Sequence, residues 1–160
     1  MTNEEMIREQ LIARFPDCEG KVRIQRERRI WTEVPLTHFI YILQFAKEDL
    51  KFVEFCTMTG LDEGENLAFI YHVAQERTGI ILNIKIATPK ANPVIPTITH
   101  LFPSAELPER EVEDLLGAIV SGLPPGHRYP LPDDWPQGDH PLRKDWKQPS
   151  EAAKAEVSNG

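Results

Sequence analysis

The chain has 160 residues, which is the length of a single domain. Hydrophobic residues make up 41% and charged residues 27% of it, an ordinary globular composition that excludes wholesale disorder. The formal net charge of −7 argues against a general binder of nucleic acid or anionic membranes, since both need a cationic surface. Of the 14 prolines only Pro16 and Pro35 precede residue 89, so we expect a regular fold followed by a proline-rich segment.

The N-terminal part is predicted to begin with a helix and a short strand. Thr2 and Glu5 have the spacing of a capping box, and apolar residues at helical intervals extend the helix to Phe15. Alternating polar and apolar residues predict a half-buried strand over residues 21–24. The four arginines between residues 23 and 29 are interpreted as a solvated basic patch.

The middle of the chain has the pattern of a sheet. A second helix, with Thr37 as its candidate cap, is expected to run to about Leu50. Three strands are predicted after it, at residues 52–57, 67–73 and 80–87. The last of them alternates with a period of two, which is typical of a sheet covered on one face. The connections are short, so neighbouring strands should pair antiparallel.

Two further helices are expected beyond these strands. One is a short helix at residues 97–102, and the other covers residues 109–116. Pro108 in the first turn and Gly117 just past the end fit the start and stop chemistry of that second helix. Helices before and after a small, mainly antiparallel sheet predict an α+β fold, a two-layer sandwich that occupies residues 1–120.

Residues 121–149 form a proline-rich segment, the strap. Its prolines exclude a regular helix or a central strand, and yet it carries two tryptophans and several leucines. A free linker would not carry such apolar anchors, so we expect an extended segment that lies along a surface. Residues 150–160 lack anchors and are expected to form a mobile tail.

Acidic side chains crowd the helix predicted at residues 109–116. One hypothesis is a free-standing enzyme that uses Glu109, Glu113 and Asp114 as acid and base groups. The plainer interpretation is a helix surface on which Arg110 pairs with Glu113 or Asp114. The two cysteines and five histidines are scattered, so the sequence offers no ligand set for zinc or an iron–sulfur cluster.

The strap contains a stretch that is too rich in directional groups for a linker, because Arg143, Lys144 and Asp145 can all form charge-assisted hydrogen bonds. With the preceding helix, it forms three motifs in fixed order: Glu109-Arg110-Glu111, Pro132-Asp133-Asp134-Trp135 and His140-Pro141-Leu142-Arg143-Lys144-Asp145. In these motifs the chain resembles the C-subunit family of respiratory complex I (NADH:quinone oxidoreductase), which also occurs in related membrane-bound, energy-converting hydrogenases.

The resemblance implies a non-catalytic component of a peripheral arm, which packs on the large catalytic subunit and near the small iron–sulfur subunit. It implies no cofactor on this chain, with iron–sulfur clusters and a quinone pocket or nickel–iron site on other subunits. The chain would meet the membrane only through the complex, on its cytoplasmic face. An adaptor unrelated to electron transfer is the remaining alternative. The residues expected to bind partners are Glu109, Arg110, Glu111, Asp133, Asp134, Trp135, His140, Pro141, Leu142, Arg143, Lys144, Asp145 and Trp146.

Overall fold

The computed structural model describes residues 1–148, which contain three α-helices and seven strands. The helices are α1 (Asn3–Arg14), α2 (Leu36–Glu48) and α3 (Glu106–Leu116). The strands are β1 (Arg23–Arg26), β2 (Arg29–Glu33), β3 (Glu54–Asp62), β4 (Asn66–Ala74), β5 (Ile81–Pro89), β6 (Val94–Pro96) and β7 (Ile119–Ser121). The predicted mobile tail at residues 150–160 and the last residue of the strap lie outside the described residues.

Five strands form one sheet in the order β1-β2-β5-β4-β3. β3, β4 and β5 pair antiparallel through short turns, as predicted. β2 and β5 instead pair parallel, with Ile30 opposite Leu82, because α2 and the β3–β4 hairpin lie between them in the chain. A small, mainly antiparallel sheet packed with helices confirms the predicted α+β fold.

The helices and the sheet share one hydrophobic core. Phe39 of α2 packs against Tyr71 of β4, with ring centroids 4.5 Å apart. Leu82, Ile84 and Ile86, which point to the same side of β5, are fully buried in this core. The alternate residues of the strands face the opposite side, which carries more exposed side chains such as those of Trp31, Thr59 and Lys85.

The first hairpin and β3 differ from the predicted elements. The strand predicted at residues 21–24 corresponds to β1, which turns back directly into β2. β2 is not predicted from the sequence, because its five residues are too few to show a period. The end of the strand predicted at residues 52–57 is wrong, since β3 continues through Gly60 to Asp62. Glycine at position 60 allows the close approach of α3, because a Cβ there would overlap Leu116 Cδ1.

The helix boundaries follow the expected capping chemistry in part. The capping box of α1 is confirmed, with Glu5 N donating to Thr2 Oγ1 at 3.2 Å and Thr2 N donating to Glu5 Oε2 at 2.7 Å. Gly117 ends α3 in the left-handed region with φ of 74°, also as predicted. The Thr37 cap is wrong, because α2 begins at Leu36 directly after Pro35.

The largest difference between the predicted and the observed elements lies in the region between β5 and α3. Residues 97–102 make a single turn, closed by a 2.8 Å hydrogen bond from Phe102 N to Ile98 O, so the predicted helix is wrong. A buried carboxylate, Glu109, binds the start of this segment and fixes it in another conformation. β6 and β7 form a small parallel ribbon beside it, which the sequence pattern does not predict.

Candidate partner-binding site

α3 lies at the centre of the candidate site, and its first acidic motif residue points inward. Glu109 is completely buried, and its carboxylate accepts hydrogen bonds from Thr97 Oγ1 at 2.6 Å and Ile98 N at 2.7 Å. Burial raises the pKa of Glu109 above its ordinary value, while the two hydrogen bonds oppose the shift. Glu109 therefore ties the segment after β6 to the helix.

Arg110 is also turned toward the protein. Its Nη2 lies 3.0 Å from Oε1 of Glu106, one turn earlier on α3, and it donates to the carbonyl oxygen of Pro124 at the start of the strap. The predicted pair of Arg110 with Glu113 or Asp114 is wrong, because both of those carboxylates bind other groups. Arg110 thus joins α3 to the strap and is not part of an exposed ion pair.

Glu113 and Asp114 bind the segments that follow α3. Glu113 Oε1 accepts from Val120 N at 3.1 Å, and burial raises the pKa of Glu113. The two oxygens of Asp114 accept from Arg128 Nε at 3.2 Å and from Leu131 N at 3.1 Å. The acidic groups of the enzyme hypothesis therefore serve as acceptors for donors of the same chain, and Glu109 among them is closed to solvent.

The strap crosses the C-terminal end of α3, where the last carbonyl groups of a helix lack partners within the helix. Three of these carbonyls accept hydrogen bonds from the third motif: Asp114 O from His140 Nδ1 at 2.7 Å, Leu115 O from Leu142 N at 3.0 Å, and Leu116 O from Arg143 Nε at 2.7 Å. A carbonyl oxygen can only accept, so Nδ1 of His140 carries the proton. The positive charge of Arg143 also suits the negative end of the helix dipole.

A second contact fastens the strap to the end of β3. The carboxylate of Asp62 accepts from Lys90 Nζ at 2.7 Å, from Lys144 N at 2.8 Å and from Gly64 N at 2.8 Å. The hydrogen bond from Lys90, followed by those from the two backbone amides, holds the pKa of Asp62 well below its usual range. Lys90 also lies 2.9 Å from Asp145, whose pKa it lowers in the same way.

The two tryptophans of the strap are half-buried and share one partner. Trp135 Nε1 donates to the carbonyl oxygen of Asp139 at 2.9 Å, and Trp146 Nε1 donates to the carboxylate of the same residue. Arg128 Nη1 also donates to Trp135 O at 2.8 Å. These bonds hold the strap in a defined shape on the surface of its own chain.

The structure therefore divides the predicted site residues into three sets, one of which is half-buried and consists of Trp135, Pro141 and Trp146. Glu109, Arg110, His140 and Arg143 point inward and bind the chain itself. The exposed residues of the predicted site are Glu111, Asp133, Asp134, Leu142, Lys144 and Asp145. Sequence reasoning misses Asp62, Lys90 and Arg128, because they lie far from the motifs in the chain or have no spacing that marks them.

Other kinds of site find little support in residues 1–148. No three histidine, cysteine, aspartate or glutamate side chains in this part of the chain are arranged to hold a metal ion. Cys18 is buried and Cys56 is exposed, and neither forms a disulfide. None of the helices in the described range is both long enough and apolar enough to cross a membrane.

The family model described as the 30-kDa subunit of respiratory-chain NADH dehydrogenase matches residues 32–152. The chain belongs to this family. The match runs from β2 past the end of the described strap, and so includes α3 and all three motifs. The resemblance found in those motifs is thereby confirmed.

Curated relatives come from three kinds of complex. The chain is 31% identical to the beta subunit of the membrane-bound hydrogenase of Pyrococcus furiosus, over 92% of this chain and 88% of that protein. It is 29% identical to the C subunit of the F(420)H(2) dehydrogenase of Methanosarcina mazei, over 87% and 89% of the two chains. It is also 29% identical to the C subunit of the NADH-quinone oxidoreductase of Moorella thermoacetica, over 88% and 93%.

Solved structures show the same fold. A chain of the membrane-bound sulfane sulfur reductase, an archaeal respiratory membrane complex, superposes with a TM-score of 0.80 at 25% identity, over 96% of this chain and 91% of that chain. A trypsin-resistant fragment of Nqo5 superposes with a TM-score of 0.65 at 24% identity, over 78% of this chain and all of the fragment. The similarity to the fragment concerns the fold alone.

Proposed function

We propose that this chain is a non-catalytic component, of the C-subunit type, of a membrane-bound NADH:quinone oxidoreductase or energy-converting hydrogenase. It docks on the large catalytic subunit, beside the small iron–sulfur subunit, on the cytoplasmic face of the membrane. It supports electron transfer without a cofactor of its own, since the clusters and the quinone or nickel–iron site belong to other subunits. The family match supports this assignment, as do the relatives from a membrane-bound hydrogenase, an F(420)H(2) dehydrogenase and an NADH-quinone oxidoreductase.

One observation supports a docking role for the strap. Its inward polar groups are satisfied by α3 and β3, so its outward groups are held in one arrangement before any partner binds. A surface that is already ordered loses less conformational entropy on association than a free segment. The strap thus has the properties of a preorganised docking element.

Leu142 is the apolar group best placed to contact the partner. Its backbone N–H is fixed on Leu115 O at 3.0 Å, while the residue is 56% exposed. The exposed carboxylates of Asp133 and Asp134 lie on the same strap and would form the polar rim of such an interface. A central apolar anchor of this kind typically contributes about 2 kcal/mol to binding.

A matched pair of leucines tests the proposal. Leu107 on α3 is also 56% exposed but lies outside the three motifs. We expect Leu142→Ala to weaken binding to the purified large subunit by about tenfold or more, whereas Leu107→Ala changes it less than about twofold. Equal binding of the two variants in a titration would show that the strap is not the docking element.

The enzyme hypothesis has no observation in its favour. Glu109, Glu113 and Asp114 each bind a donor of the same chain, so a reaction at these groups would first have to break contacts that hold the fold together. The adaptor hypothesis makes a different prediction from ours. An adaptor unrelated to electron transfer would be absent from the purified oxidoreductase or hydrogenase complex.

A further inference from the structure

The two edge strands of the five-stranded sheet differ sharply. β1 has only four residues, its pairing with β2 is irregular between Ile24 and Arg26, and two of its residues are arginines. Short length, irregularity and charge are the features by which proteins protect a sheet edge from pairing with another chain. β3, at the other edge, has nine residues and contains no lysine, arginine or proline.

The part of β3 that is suited to pairing is its C-terminal two thirds. The register with β4 shifts between Phe55 and Thr57, and from Thr57 to Asp62 the two strands pair residue by residue without interruption. This regular stretch is about 20 Å long at the usual rise of a strand. Thr57, Thr59 and Leu61 are exposed along it.

The backbone of β3 offers unused hydrogen-bonding groups along its outer edge. An edge strand pairs on one side only, so every second N–H and C=O points away from the sheet. Within residues 1–148, no backbone group outside the β3–β4 pairing bonds to the backbone of residues 54–62, although Met58 O accepts a 3.4 Å hydrogen bond from Thr57 Oγ1. The occupant that matches such a row of donors and acceptors is another extended chain.

We propose that the outer edge of β3 is a second docking surface, which binds an extended segment of a partner subunit as an additional strand. This inference rests on the proposed function, because the partner belongs to the same complex. The segment would be uncharged over about five residues, with β-branched or aromatic side chains alternating along it. A basic residue at one end would face the exposed carboxylate of Glu54.

Electrostatics favours a different protein over a second copy of this chain. Each copy carries a net charge of −7, so the two chains repel one another. β3 itself carries two acidic side chains and no basic one. A partner strand with basic flanks meets no such repulsion.

The β3 edge also adjoins the strap. Asp62, the last residue of β3, accepts the backbone N–H of Lys144 at 2.8 Å. A partner bound to the outward side of the strap is therefore already close to the end of β3. The two surfaces can engage the same partner side by side, which adds affinity by keeping the second contact intramolecular.

Hydrogen exchange of the isolated chain and of the purified complex tests this proposal directly. The bond from Glu63 N to Asn66 O and the pairing register place the amides of Met58, Gly60 and Asp62 on the outer edge. We expect these amides to exchange at least tenfold more slowly in the complex, while the amides of β1 exchange equally in both. If the chain is present in the complex but its β3 amides exchange as fast as in the isolated chain, the edge is not a docking surface and the proposed function stands. A complex that lacks the chain would overturn both ideas.

A charged edge variant gives an independent measurement. Thr57→Lys places a lysine at the exposed edge, and Tyr41→Lys places one on α2, where the residue is 66% exposed. We expect Thr57→Lys to reduce incorporation into the complex at least tenfold relative to Tyr41→Lys, with matching thermal midpoints. Equal incorporation would contradict the proposal. If the isolated chain forms a dimer in which the β3 amides are protected, the strand that pairs with β3 comes from a second copy of this chain, and the proposal of a partner segment is wrong.

Discussion

Replacing Asp62 by asparagine tests whether the strap is held by a buried charge. In the wild type, one carboxylate oxygen accepts from both Lys90 Nζ and Lys144 N, and the other accepts from Gly64 N. The side chain is only 1% exposed, so water cannot replace the lost partner easily. The amide of asparagine keeps one acceptor for Gly64 but presents N–H donors to Lys90 and Lys144.

The magnitude follows from these contacts. A hydrogen bond to a charged group contributes about 1.5–3 kcal/mol, and we expect the loss to be about 3 kcal/mol in total. For a chain of this size, that corresponds to a fall in Tm of about 6–12 °C. The strap should also become more accessible, so trypsin should cut after Arg143 and Lys144 sooner than in the wild type.

Glu63→Gln is the matched control, because Glu63 follows Asp62 directly but pairs with Lys85 while 39% exposed. An exposed pair of this kind contributes at most about 1 kcal/mol. Thermal unfolding followed by circular dichroism at neutral pH compares the variants. If Asp62→Asn and Glu63→Gln shift Tm equally, then Asp62 does not fasten the strap.

Comparison of the wild type with Asp62→Asn also predicts how stability depends on pH. The pKa of Asp62 is lowered in the folded chain from its ordinary value of 3.8, so its stabilising effect is complete above about pH 3.8 and is lost as the pH falls further. The stability difference between the wild type and Asp62→Asn should therefore be constant near neutral pH and shrink in acid. A difference that stays constant down to the lowest pH at which the chain folds would refute the role of the charge.

Three other substitutions test the core around α3. Gly60→Ala should destabilise the fold by about 1–3 kcal/mol in urea unfolding, because its Cβ would contact Leu116 Cδ1, and a second change, Leu116→Val, should restore part of the loss. Glu109→Gln tests the raised pKa of Glu109. Because burial raises this pKa above 4.5, the contribution of Glu109 to stability falls as the pH rises above 4.5. The free energy of unfolding of the wild type should therefore exceed that of the variant by more at pH 4.5 than at pH 7.5. Tyr71→Phe should leave stability unchanged or raise it by about 1 kcal/mol, since the buried hydroxyl has no partner in the described residues; a loss above about 2 kcal/mol would contradict this.

The family could be predicted from the sequence because its motifs are short, ordered and close together in the chain. The same holds for the capping box at Thr2 and Glu5 and for the alternation in β5, which depend only on residues a few positions apart. The α+β class followed from the order of these local patterns. Local chemistry was enough for each of these predictions.

Only the tertiary structure decided how distant residues are used. The motif arginine Arg143 caps α3, and the motif glutamate Glu109 binds Ile98, although both were predicted to contact a partner. Gly60, which looks like a turn residue, lies inside a strand because α3 passes close to it. Asp62 and Lys144 are 82 positions apart, and no local pattern records a hydrogen bond between them. Such contacts depend on the packing of whole elements, which no short segment of the sequence specifies.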